Sequence, residues 1–173
     1  MGMAKQARDA EFTAYVASRG GWLRKVAYLL CGDWHRADDL VQESITKLYV
    51  HWPRIGEVEN LDGYARRVLV NTFLAEQRSP WWRRISRTGA EPDVVSVPPD
   101  LDTALDLRRA LAALPPRQRA TVVLRYYCDL TVDQAAEVLG CSPGNVKSQS
   151  SRALDTLRSR LVPRPVSTER TTS

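Results

Sequence analysis

Long apolar runs are missing from these 173 residues, and none approaches the roughly 18 that a membrane-spanning helix requires. The N-terminal stretch MGMAKQARDAEF also lacks the continuous apolar segment of a secretory signal, so the chain is expected to stay in the cytoplasm. Cysteine is scarce. Cys31, Cys128 and Cys141 form an odd set with no C-x-x-C pair, which suits reduced thiols and argues against structural zinc. No G-x-x-x-x-G-K-[ST] or G-x-G-x-x-G run marks a phosphate cradle. No segment reads convincingly as a strand, since VVSV in the linker is isolated and flanked by Pro and Asp. No internal repeat is apparent.

The chain has two histidines, which limits any catalytic reading. The richest cluster is His35, Asp38, Asp39 and Glu43, where an imidazole and carboxylates could hold a metal or move protons. No second group of ligands accompanies it, and acidic residues in a first helical turn are already favoured by the helix dipole. Cys31 and His35 at helical spacing offer two ligands where zinc uses three or four from the protein. These observations predict a non-enzyme without metal or cofactor.

What is present is helical punctuation, most clearly in TVDQAAEVLGCSPGNVKSQSSRALDTLRSRL from Thr131 to Leu161. Thr131 and Gln134 form a capping box, with Leu130 and Ala135 placed for a hydrophobic staple. Val132, Ala135, Ala136 and Leu139 keep helical period, and Gly140 supplies a left-handed end. Ser142 and Pro143 then start a second helix three residues on, which is helix-turn-helix spacing. In that helix Val146, Ser150, Ala153, Leu154, Leu157 and Leu161 fall on one side. Asn145, Lys147, Ser148, Gln149 and Arg152 fall largely on the other, with donors and acceptors suited to base edges and phosphates. An ordinary helical hairpin with a solvated face is the plainer reading. The joint occurrence of capping, small alanines and a short turn favours DNA.

The net charge of +5 and pI near 9.4 permit a polyanionic partner. Residues 1–79 carry 11 basic and 10 acidic side chains and residues 101–162 carry 9 and 6. A nucleic-acid surface in the front half must therefore come from local segregation of charge.

Phe12, Tyr15, Val16, Trp22, Leu23, Val26, Ala27 and Leu30 predict a long first helix, weakest at Gly20 and Gly21 and broken at Gly32 and Asp33. Ala37, Leu40, Val41, Ser44, Ile45, Leu48 and Tyr49 form the stripe of a second, closed by Trp52 and Pro53, with Asp38, Asp39, Gln42, Glu43, Thr46 and Lys47 outward. A third follows the loop RIGEVENLDG, built on Leu61, Tyr64, Ala65, Val68, Leu69, Thr72 and Phe73, with Arg66, Arg67, Asn71 and Arg78 opposite. It runs into Pro80-Trp81-Trp82-Arg83-Arg84. That cluster suits stacking on unpaired bases and equally suits folding back onto a core.

TGAEPDVVSVPPD, residues 88–100, reads as a linker. Helical pattern resumes in 101–162, and the polar, proline-containing tail 163–173 reads as disordered. The expected fold is all-α: two small helical domains, 9–87 and 101–162, joined by a flexible linker and folding separately, the second containing the helix-turn-helix.

ADDLVQESITKLYVHW resembles the D-x-x-D-L-V-Q-E-x-F pattern of region 2 in bacterial sigma factors. LAALPPRQRATVVLRYYCDLTVDQAAEVLGCSPGNVKSQSSRALDTLR resembles their region 4. The two matches are in family order, with no region 3 domain between, and span about residues 11–161. This arrangement resembles the extracytoplasmic-function (ECF) group, and PWWRR is similar to one actinobacterial-type subfamily within it. The resemblance implies a subunit that binds RNA polymerase core, directs transcription initiation at promoters and helps open the −10 duplex.

By resemblance, Asp38, Asp39, Leu40, Gln42 and Glu43 match the core-binding motif that docks on the β′ clamp helices. The loop from Arg54 to Asn60 and the helix bearing Arg66, Arg67 and Asn71 match the part that reads the −10 element. Asn145, Lys147, Ser148, Gln149 and Arg152 would read the −35 element, on a domain that docks on the β flap. The family also admits an anti-sigma protein as a partner. Ser150 replaces a usually larger apolar residue, and Ile45 a frequent aromatic. A stand-alone helix-turn-helix regulator that needs no polymerase core is the alternative.

Overall fold

The computed structural model describes residues 2–55, 59–79 and 100–161. Trp81, Trp82, the linker up to residue 99 and the tail 163–173 lie outside the described residues. All the regular structure among the described residues is helical. Helix α1, Gly2–Cys31, runs without interruption through Gly20 and Gly21. It ends where Gly32 adopts φ +74° and its N–H reaches the Tyr28 carbonyl at 2.7 Å. Asp33 Oδ1 then accepts from the His35 N–H at 2.7 Å, and α2, Trp34–Ile55, begins.

Sequence places the end of α2 at Trp52 and Pro53, yet the helix continues to Ile55. Proline loses one backbone bond, and burial of Trp52 and Ile55 offsets that loss in the last turn. Helix α3, Leu61–Arg78, starts at Asn60, whose Oδ1 accepts from the Gly63 N–H at 2.8 Å. A Cβ on Gly63 would sit 2.6 Å from Asn60 Nδ2, so glycine is what lets this cap close.

After the linker come α4, Asp100–Ala112, and α5, Pro116–Val122. The latter continues into a π-helical turn, Val123–Tyr127, closed by the Cys128 N–H on the Val123 carbonyl at 3.0 Å. Helices α6, Val132–Leu139, and α7, Pro143–Leu161, complete the chain. Both bonds of the capping box form, Gln134 N–H to Thr131 Oγ1 at 3.1 Å and Thr131 N–H to Gln134 Oε1 at 2.9 Å. Gly140 takes the left-handed conformation (φ 64°, ψ 39°), and Ser142 Oγ caps the Asn145 N–H at 3.1 Å.

Two helical units result, α1–α3 and α4–α7, and they also pack on each other. Leu23, Leu30, Leu69 and Phe73 of the first unit share one buried cluster with Val123, Leu124, Ala136 and Val146 of the second. A second cluster within α4–α7, containing Leu111, Leu114, Ala153 and Leu157, is met by Leu29 of α1. Separate cores were the expectation from the linker's composition. Each unit, however, carries apolar side chains beyond those its own helices cover, and burial of a leucine or phenylalanine contributes roughly 1.5–3 kcal/mol.

Candidate functional site

The α2 stripe turns Leu40 fully inward, so that its methyls set the helix orientation while Asp38, Asp39, Gln42 and Glu43 are exposed on the opposite side. The four polar residues are thus brought onto one face and Leu40 supports it from beneath. Asp38 is tied back to α1, accepting from Arg24 Nε at 2.6 Å and Nη2 at 3.4 Å. This bond holds its carboxyl below the usual carboxylate range. Arg24 lies 4.3 Å from the centroid of Trp34, which stacks on Tyr28 at 3.9 Å. One turn along, Glu43 pairs with Lys47 at 3.4 Å, and Lys47 Nζ donates to Thr72 Oγ1 on α3 at 3.1 Å. Glu76 of α3 is pushed up to about 7 by burial first, then by the neighbouring Glu43 carboxyl.

Beside the acidic face lies a groove of about 420 Å³ between α2 and α3, lined by Lys47, His51, Tyr64, Arg67, Val68, Asn71 and Thr72. Arg67 and Asn71 are exposed along it. The other residues read for −10 recognition are placed differently. Arg54 is exposed in the last turn of α2, and the Asn60 side chain caps α3. Arg66 is half-buried, with its guanidinium 5.1 Å from the Trp22 centroid and its charge close enough to the Cys128 thiol of the second unit to lower that thiol's pKa against burial, which raises it. Capping and a contact between units therefore occupy two of the five.

On α7, Asn145, Lys147, Ser148 and Arg152 are exposed and Gln149 is half-buried. Asn145, Ser148, Gln149 and Arg152 lie within about a third of the helix circumference, whereas Lys147 lies toward the opposite side. Behind them a groove of about 330 Å³ involves Arg125, Tyr126, Lys147, Ser150, Leu154 and Arg158. Ser150 Oγ is buried there without a hydrogen-bond partner among the described residues. Several arginines of the second unit serve carbonyls instead of solvent. Arg117 donates to Leu139 O at 3.3 Å, and Arg125 donates to Leu130 O. Arg119 donates to the oxygens of Leu111, Ala112 and Leu114. Sequence spacing carries no signal for these roles, because the acceptors are chosen by how helix ends meet in space.

Residues 12–83 match sigma-70 region 2 and residues 104–157 match sigma-70 region 4. The chain is an ECF sigma factor of the sigma-70 family. This sigma factor is 36% identical to the RNA polymerase sigma-E factor of Streptomyces coelicolor over 162 residues, covering 89% of this chain and 88% of that one. It is 30% identical to the ECF RNA polymerase sigma factor SigL of Mycobacterium tuberculosis, covering 90% and 91%. Among solved structures it is similar to the sigma factor RpoE from Bartonella quintana, crystallised with the anti-sigma factor NepR. That match has a TM-score of 0.70 at 27% identity, over 89% of this chain and 99% of the other. The α2 face and its neighbouring groove are therefore part of region 2, and the helix-turn-helix is part of region 4. A stand-alone regulator would account for the second match alone, so that alternative is not favoured. No helix among the described residues is long and apolar enough to cross a membrane.

Proposed function

We propose that region 2 of this sigma factor, residues 9–87, docks on the β′ clamp helices of polymerase core through Asp38, Asp39, Gln42 and Glu43. Region 4, residues 101–162, docks on the β flap and reads the −35 element with Asn145, Lys147, Ser148, Gln149 and Arg152. Arg67 and Asn71, with Arg54, Asn60 and Arg66, serve the −10 element, and the cationic groove holding Tyr64 takes the melted strand. Stacking on an aromatic contributes roughly 1–3 kcal/mol per base, which favours unpaired over paired DNA. The subunit is non-catalytic and acts in the cytoplasm: polymerase makes the RNA and this chain selects where. The Bartonella quintana relative was crystallised with an anti-sigma factor, and a partner of that kind is proposed here as well.

The observation that carries this reading is the pairing of faces on α2 and α3. An exposed carboxylate surface stands beside a cationic, partly aromatic groove, with Leu40 buried beneath the carboxylates. Reversing Asp39 and Glu43 to Lys together is expected to abolish co-purification with core polymerase while the circular dichroism spectrum stays helical, since both side chains are exposed. Unchanged core affinity in the folded double variant would remove this surface from the interface.

A further inference from the structure

The corner between α1 and α2 carries a large aromatic side chain that the interior does not cover. Trp34 is the first residue of α2 and is 41% exposed, although its ring has one of the largest apolar surfaces a side chain can bury. Its backbone is fixed from both sides. The Gly32 N–H closes α1 on the Tyr28 carbonyl, and Asp33 Oδ1 caps the His35 N–H at 2.7 Å. The ring is fixed as well. It stacks on Tyr28 with centroids 3.9 Å apart and planes 11° from parallel, and the Arg24 guanidinium lies 4.3 Å from its centroid. Arg24 and Tyr28 are one turn apart on α1, so a single helix face supplies both contacts. Asp38 in turn holds Arg24, accepting from its Nε at 2.6 Å.

The charge of Asp38 is thus met within the chain, whereas Asp39 has no ion pair among the described residues. Gln42 follows Asp38 by one turn, so the ladder of Tyr28, Trp34, Arg24 and Asp38 continues directly into the exposed face of Asp39, Gln42 and Glu43. Lys47 of the cationic groove stands about 20 Å further along α2 at 1.5 Å per residue, so the ring and that groove are separate. Nucleic acid is an unsuitable partner for the corner, because phosphates are repelled by the carboxylates. A protein surface that offers cations to Asp39 and Glu43 and aliphatic stems to the ring fits it. Tryptophan is enriched among the residues that dominate interface energetics, and a side chain already locked loses little freedom on binding.

We infer that Trp34 is an anchor of the surface that docks on polymerase core, held ready by Tyr28 and Arg24, with Asp38 as the positioning residue that keeps Arg24 on the ring. The inference rests on the docking role proposed above for the α2 face. It extends that surface from the carboxylates to the corner of α1 and α2. The carboxylates supply attraction that salt screens, and the ring supplies contact area that salt leaves unchanged.

The test compares the full wild-type chain with Trp34→Ala, Arg24→Met and the two combined, with circular dichroism to check the fold. Affinity for purified core is measured across a salt series. Trp34→Ala is expected to weaken core binding about thirtyfold with its salt dependence unchanged. Arg24→Met should weaken it about two- to fivefold, and add nothing once Trp34 is gone. At saturating chain, run-off transcription should reach the wild-type level from the same start sites. Wild-type affinity in folded Trp34→Ala would overturn the anchor, as would a lowered plateau at saturation, which marks a structural role. A further loss from Arg24→Met in the Trp34→Ala chain would overturn the positioning role. Hydroxyl-radical footprinting of the wild-type chain needs no variant: Trp34 should be oxidised in the free chain and protected in the holoenzyme, and equal oxidation in both would overturn the inference. Normal core binding by the Asp39→Lys, Glu43→Lys double variant would overturn the docking role of α2 instead, while the footprint would still decide whether core covers Trp34.

Discussion

Glu43 of α2 and Glu76 of α3 are neighbours on the flank of the acidic face, and Glu76 is held at about 7 by burial first and then by the adjacent Glu43 carboxyl. The unfolded value is near 4.5, so between the two the folded protein binds a proton that the unfolded chain does not. Stability therefore falls as pH rises from 4.5 through 7, and the cost persists above that window. Glu76→Gln is expected to stabilise the fold at pH 8 by about 1 kcal/mol once solvent screening of this partly exposed pair is allowed for, raising the melting temperature there, and to change little at pH 4. Thermal melts at both pH values decide it. An equal gain at each would show that the pair is not the source.

Ser150 occupies an inward position of α7 with its hydroxyl buried and unbonded among the described residues. Removing a polar atom in that state relieves desolvation without opening a sizeable void. Ser150→Ala should stabilise region 4 by about 1 kcal/mol in urea unfolding. Destabilisation of the same size would mean that the hydroxyl has a partner.

Reading and gripping are expected to be divided along α7. Gln149 stands one turn after Asn145 and is half-buried, whereas Arg152 is exposed. Gln149→Ala is expected to relax preference at one or two positions of the −35 element, a contact worth roughly 1–3 kcal/mol of discrimination. Arg152→Ala should weaken all promoters together and lower the salt slope by about one. Transcription from a randomised upstream element across a salt series separates the two. The opposite pattern would exchange their roles.

The helices, the caps of α6 and α7 and the acidic face were legible because each is written in local spacing. Thr131 with Gln134, Gly140, Ser142 and the α2 stripe all act within a few residues of themselves. What spacing left unwritten were contacts whose partners lie far along the chain. Arg119 reaches Leu30 across 89 positions, and Arg66 finds Cys128 only because the two units meet. Asn60 was legible in two ways, as a loop residue for DNA and as an N-cap. The approach of Gly63 decides that its side chain caps α3.

Run-off transcription with purified polymerase core on a library of randomised promoters tests the central claim most directly. Core alone should give no discrete start sites, and core with this chain should give starts at a fixed distance from two selected elements. The Asp39→Lys, Glu43→Lys double variant should give none. Selective duplex binding by the isolated chain, with no effect on where core begins transcription, would contradict the account.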